Sequence, residues 1–374
     1  MPSFNHTFLQ LVRLGIGHSA EQLCEPVDWN AMESLATKQG LLGVVLDGMQ
    51  CLAENAETIP YKKKLEWLGL VMQGYELRYL DYRKAIDALA AFYNTHGFRM
   101  MLLKGYACGR DWPRPEHRPY GDIDIWLFGK QKEADALIES LEFKVDSLKS
   151  VDSGELKVES IKVDRSHHHH TVFNWMGFTV ENHYDFVNVY ARQSSAVMEK
   201  VFEELGQDDS HFVEVNGQKV YLPSPNLHAL FLIKHMVSHF AAAEISLRQV
   251  LDWAFFVEKH TEEIDWGWLK GMIDKFSMND FVSCVNAICV EDLGFDASLF
   301  HGVQLNSQLK DRVLKDIVSP AYGTEEPKGL IKKWTYKYRR WKGNAWKHDM
   351  CYGESRWESF WTLLRSHLMK PKVS

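Results

Sequence analysis

Apolar residues recur at helical spacing through the first hundred positions and again after residue 225, with a different pattern between. Around residues 28–49, Met32, Leu35, Ala36, Leu41, Val44 and Val45 fall near a 3.6-residue period with a break at Gly40. Asp28 stands where an N-cap belongs. A second helical pattern runs from Tyr61 to Asn94, just after Pro60. The spacing predicts an N-terminal helical layer.

The period then changes. FRMMLLKG (98–105) is a short apolar run ending in Gly, and DIDIWLF (122–128) alternates strictly, so both predict strands. The three prolines between them demand a loop. After a helical stretch near 130–142, strand-like runs return at 156–164, 170–175 and 178–186, the last two joined by a Met-Gly turn. From Pro225 onward NLHALFLIKHMVSHF, LRQVLDWAFFVEKH and FVSCVNAICVEDLGF are helical, and Trp357, Phe360, Trp361, Leu364 and Leu368 form one late helical stripe. The expected fold class is α+β: a mixed β-sheet with helices, flanked by helical regions. The expected divisions are 1–97, N-terminal helical; 98–222, the α/β unit; and 223–374, C-terminal helical with a basic, aromatic tail.

Composition excludes disorder as the main state: 374 residues, 45% hydrophobic, with no uninterrupted apolar run long enough for a membrane span. The N-terminal segment lacks the basic region and cleavage site of a signal peptide, so a cytoplasmic location is expected. Six scattered cysteines without a CxxC pair indicate neither a disulfide framework nor a zinc knuckle. The net charge of −7 hides an asymmetry. Residues 328–374 carry twelve Lys or Arg against three acids, a net +9, so residues 1–327 carry −16. In the tail, Trp334, Tyr338, Trp341 and Trp346 interleave with cations, a composition able to stack on bases. The favoured expectation is that these rings pack on the acidic body while the cations stay wet, so nucleic acid is not the favoured partner.

Asp122-Ile123-Asp124-Ile125 carries the candidate chemistry. On a strand, both carboxylates would share one face while the isoleucines enter the core, giving a hard-oxygen site suited to Mg²⁺ or Mn²⁺ with a substrate phosphate. A solvated strand end is the plain alternative. Lys104, Gly105, Arg118 and Gly121, with Arg110 and Arg114 in the same loop, supply the cations and open turn that bound phosphates require. In FTVENHYDF, Glu181 alternates with Thr179, His183 and Asp185, making Glu181 a third metal ligand or the general base, with His183 and Asp185 candidates for lining the cleft. His228, His235 and His239 form one helical stripe without HExxH; a face bordering the site, with His235 and His239 lining it, or a satisfied core is favoured over zinc. His167 to His170 read as a loop with opportunistic metal binding. Arg248 and Asp252 read as a packing ion pair.

Leu103-Lys104-Gly105, Arg118-Pro119, Gly121 and Asp122-Ile123-Asp124 together resemble the signature of uncharacterised bacterial nucleotidyltransferases of the NTP_transf_5 type, within the DNA polymerase beta nucleotidyltransferase superfamily. Glu181-Asn182-His183-Tyr184 is similar to the family's later acid-x-His-aromatic strand, and His235, His239, Arg248 and Asp252 to its helical region. Lys104-Gly105-Tyr106 stands where the wider superfamily has Gly-Gly or Gly-Ser. The resemblance implies a two-metal transferase: Asp122, Asp124 and Glu181 hold the ions, an NTP (ATP by default) binds near Lys104, Gly105, Arg118 and Gly121, and an unidentified acceptor hydroxyl takes NMP. Two other readings stand beside it, a non-catalytic nucleotide-sensing or protein-binding module and an RNA-directed transferase or RNA binder using the tail.

Overall fold

The computed structural model describes residues 4–20, 23, 27–54, 59–145, 157–167, 169–301, 304–323, 327–359 and 361–362. Its strands are β1 (Met101–Leu102), β2 (Ile123–Trp126), β3 (Glu142–Val145), β4 (Lys157–Ser160), β5 (His170–Trp175), β6 (Phe178–His183), β7 (Phe212–Val215) and β8 (Gln218–Tyr221). Six of them form a mixed sheet in the order β5-β6-β2-β1-β8-β7, while β3 and β4 pair separately. β2 runs parallel to β6 and antiparallel to β1; β1 runs parallel to β8. The fold class is α+β, as expected.

Two units divide the chain: residues 81–107, 121–224 and 359–374 form one, and residues 1–80, 108–120 and 225–358 the other. In the sheet unit, β2 sits centrally: Ile123 and Ile125 are fully buried, and the strand pairs with β6 on one edge and with β1 on the other. One sheet face is pinned by helices. Trp175 donates its indole N–H to the Ala85 carbonyl (3.1 Å) on helix Leu77–Thr95. Asn182 donates to Asp135 (2.8 Å) and to the Gln131 carbonyl (3.2 Å) on helix Gln131–Glu139, and Thr171 and Tyr184 also donate to Asp135. Strand alternation sends Asp124, Glu181 and His183 to the opposite face.

The hairpin β5/β6 follows the expected Met-Gly turn, with Met176 and Gly177 both at positive φ. The hairpin β7/β8 adds to the expected strands. Asn216-Gly217 supplies its turn, again with both φ positive, but each strand is four residues and Phe212 is exposed, which blunts the apolar signal. Among the described residues of the run expected at 156–164, Lys157–Ser160 forms a strand that pairs with β3, and Asp164 makes an isolated bridge to Val172 on β5 of the main sheet.

In the helical unit, Asp28 caps helix Trp29–Lys38, accepting from the Asn30 and Ala31 amides (3.1 Å each). The pattern from Tyr61 to Asn94 becomes two α-helices joined by a π-turn at Met72–Glu76. Among the described residues, Cys51, Cys108, Cys284, Cys289 and Cys351 form no disulfide. No described helix is long and apolar enough to cross a membrane. The tail departs from expectation. Trp346 packs edge-on against Phe240, and Lys347 is buried against the Ala243 carbonyl (2.7 Å) and Asp316. Trp334 and Tyr338, however, are 73% and 62% exposed on helix Leu330–Gly343. Their neighbours on that helix are mostly cations, so little apolar area is available to hold the face down. Of the late stripe, Trp357 and Trp361 are exposed, and Phe360, Leu364 and Leu368 lie outside the described residues.

Candidate active site

Register brings the chemistry together. Asp124 on β2 lies beside Glu181 on the parallel β6, and His183 ends the same strand two residues on, on the same face. Their ligand atoms all lie within 4.8 Å of one another. His183 Nε2 is 3.1 Å from Asp124 Oδ1 and 3.6 Å from Glu181 Oε2. Its Nδ1 sits 3.3 Å from the Asp185 carbonyl, which only accepts, so Nδ1 donates there while Nε2 donates to the Asp124 carboxylate. Lys104, just beyond β1, reaches in with Nζ 2.6 Å from Asp124 Oδ1.

Asp124 is only 6% exposed. Burial alone would push its carboxyl up, but the Lys104 ammonium and the His183 hydrogen bond outweigh that and hold it well below the usual carboxylate range. Burial likewise disfavours a charged His183, yet Asp124 and Glu181 raise its pKa above the ordinary value. For Glu181, burial is again opposed, chiefly by His183, and the result is a lowered pKa. Buried Asp124 and half-buried Glu181 are therefore held ionised beside Lys104 and His183, and a divalent cation would have to take the place of those partners on the carboxylate oxygens. The mixed O and N donors suit Mg²⁺ less than Mn²⁺, though the two carboxylates serve either.

The other expected residues lie as follows. Asp122 precedes β2 and is exposed; its carbonyl accepts from the Tyr82 hydroxyl (3.1 Å), and among the described residues its carboxylate is not grouped with Asp124 and Glu181. Gly105 has φ +53°, and a Cβ there would come within 2.4 Å of Tyr82 Oη, so the turn after Lys104 needs glycine. A Cβ at Gly121 meets open space. Arg118 is buried in the helical unit with Nε 2.7 Å and Nη2 3.0 Å from the two Asp252 oxygens, while Arg248 and Trp112 also donate to Asp252. Arg114 and His117 both pair with Asp47. The His235 and His239 rings lie 4.4 Å apart, tilted by 54°, in the helical unit, and His228 lies 3.6 Å from Cys108 Sγ; none joins a metal-type group among the described residues.

Asp185 turns instead towards Glu199 and Glu203. Glu199 accepts the Phe186 and Val187 amides (2.8 Å each), yet its burial pushes its pKa up to about 8. Its folded pKa lies above the ordinary 4.5, so the stability it contributes is complete below that value and lost as pH rises through about 8. Thermal melting should therefore fall from about pH 5 to about pH 8.5, and Glu199→Gln should flatten that slope. Identical slopes in both proteins would refute the buried neutral acid.

The histidine run is the part of this neighbourhood that sequence reasoning placed elsewhere. His170 opens β5 directly opposite His183, and the His169 carbonyl accepts the Tyr184 and Asp185 amides (2.8 and 3.1 Å). The signal was the two-residue Met-Gly turn, which sets this register.

With this geometry in hand, a family model described as an uncharacterised nucleotidyltransferase, NTP_transf_5, matches residues 25–294. The chain belongs to that family. Membership in NTP_transf_5 covers most of the chain, including both strands of the carboxylate site, and supports a general nucleotidyl-transfer role. No curated protein and no solved structure matches the chain.

Proposed function

We propose that this NTP_transf_5 protein transfers NMP, AMP by default, from an NTP to an acceptor hydroxyl and releases pyrophosphate. The observation that carries the reading is the convergence of Asp124, Glu181, His183 and Lys104 in one family-matched sheet unit. Asp124 and Glu181, with Asp122 at the strand entrance, would hold a divalent cation, Mg²⁺ or Mn²⁺, which offsets charge on the NTP phosphates. Lys104 would exchange its Asp124 partner for a phosphate oxygen, and the glycine turn at Gly105 keeps the backbone open beside it. Glu181, held ionised, would accept the proton of the acceptor hydroxyl, whose oxygen attacks the α-phosphorus in line while the bond to the β-phosphate oxygen breaks. The test is a panel of NTPs labelled at the α-phosphorus, offered with Mg²⁺ or Mn²⁺ and acceptors spanning small alcohols, sugars, proteins and RNA. Stable label transfer with equimolar pyrophosphate is expected; saturable NTP binding without transfer to any acceptor would favour the nucleotide-sensing alternative.

A second reading, that RNA is bound through helix Leu330–Gly343, is favoured by one observation: Trp334 and Tyr338 are exposed between Lys332, Lys333, Lys337 and Arg339. Stacking contributes about 1–3 kcal/mol per base, so Trp334→Ala with Tyr338→Ala should weaken single-stranded RNA binding by about tenfold or more. Equal affinity and salt dependence in the double variant would end that reading.

A further inference from the structure

We propose that His169, His170 and His183 form a site for one divalent transition-metal ion of the imidazole-preferring class, Zn²⁺ being the representative. Their ligand nitrogens lie within 4.8 Å of one another. His169 Nε2 is 3.2 Å from His170 Nδ1, and the rings of His169 and His170 lie 5.8 and 5.5 Å from that of His183. Nitrogens bound at about 2.0–2.1 Å to one tetrahedral ion are about 3.4 Å apart, so small side-chain rotations close the set.

The fold builds this cluster. The β5/β6 register places His170 against His183 across the hairpin, and two amides from the end of β6 tie the His169 backbone down. His183 Nδ1 is committed to the Asp185 carbonyl, the outer hydrogen bond that orients a ligating imidazole, and the ion would replace the Nε2 proton now shared with Asp124 Oδ1 at 3.1 Å. His169 Nδ1 is a buried nitrogen with no hydrogen-bond partner, a costly arrangement for a side chain with only packing to do. Three imidazoles with one open position match the ligand set of a reactive zinc centre, and imidazole nitrogen selects Zn²⁺, Co²⁺ or Ni²⁺ over Mg²⁺. The site shares His183 with the carboxylate group, but it does not depend on the transfer reaction: a chain that transfers nothing still holds the ion.

The experiment uses the full chain, stripped with chelator and titrated calorimetrically with Zn²⁺ in the absence of nucleotide, with Co²⁺ as the optical probe. One equivalent is expected, retained in excess Mg²⁺, with visible Co²⁺ absorption of a low-coordinate nitrogen site. His170→Ala and His183→Ala should each weaken Zn²⁺ binding by about 100-fold or more. His169→Ala, outside the strand ladder, serves as the variant that keeps the fold and should show the same loss. His167 is exposed and stacks on the His170 ring at 4.6 Å but is not part of the three-histidine cluster, so His167→Ala should leave one equivalent bound at close to wild-type affinity. Chelation by the histidine run alone predicts the reverse: undiminished binding in His183→Ala, loss in His167→Ala and persistence in urea. Any of those outcomes, or displacement by Mg²⁺, overturns the proposal.

Discussion

Asp124→Asn is expected to lower nucleotidyl transfer on the order of 10³-fold, since it would remove an anionic ligand from the proposed cation site. The change also leaves the Lys104 ammonium and the His183 imidazolium beside a neutral amide, where each now faces a carboxylate oxygen at 2.6 and 3.1 Å. Both consequences act on the reaction. Lys104 loses the partner that positions it, and His183 loses much of what keeps it charged. The variant should still bind NTP weakly through Lys104. Because Asp124 is held ionised in the folded state, the stability it adds is present above its ordinary pKa of 3.8 and lost as pH falls below it. The melting difference between wild type and Asp124→Asn should therefore shrink on acidification. Full transfer activity in a folded Asp124→Asn protein would remove the assigned site.

Arg118→Ala is expected to cost about 3 kcal/mol or more in unfolding free energy, the usual penalty for breaking a buried ion pair from one side. The guanidinium spends Nε and Nη2 on Asp252 and Nη1 on the Pro119 carbonyl (3.1 Å), so each of its edges is engaged. Arg248 and Trp112 remain on Asp252 in the variant and temper the loss without replacing the paired geometry. Urea unfolding is the measurement. A phosphate-binding Arg118 would give the opposite pattern: normal stability with a raised KM for NTP.

These two residues also mark how far the sequence reaches. Period-two spacing placed Ile123 and Ile125 in the core and set Glu181 and His183 on one face, because alternation is a local property of a strand. That Glu181 lies beside Asp124 depends on how β2 and β6 pair, and nothing near either residue specifies it. Arg118 meets Asp252 across 134 residues, a separation at which spacing carries no information. Asp122 shares the Asp-x-Asp pattern, but pairing begins at Ile123, so strand geometry does not extend to it. The histidine run lacks an apolar period and reads as a loop, although the turn at Met176-Gly177 already aligns His170 with His183. In the tail, cations and rings in alternation fit a packed face and an open one equally well; the exposure of Trp334 decides for the open one.

The most direct test of the account is the position of the broken bond. ATP carrying distinguishable labels at the α- and γ-phosphorus is turned over with a competent acceptor, and both products are counted. The α-label should enter the acceptor in a one-to-one ratio with γ-labelled pyrophosphate, and both should vanish in Asp124→Asn. The γ-label in the acceptor, or release as orthophosphate, would contradict nucleotidyl transfer at this site.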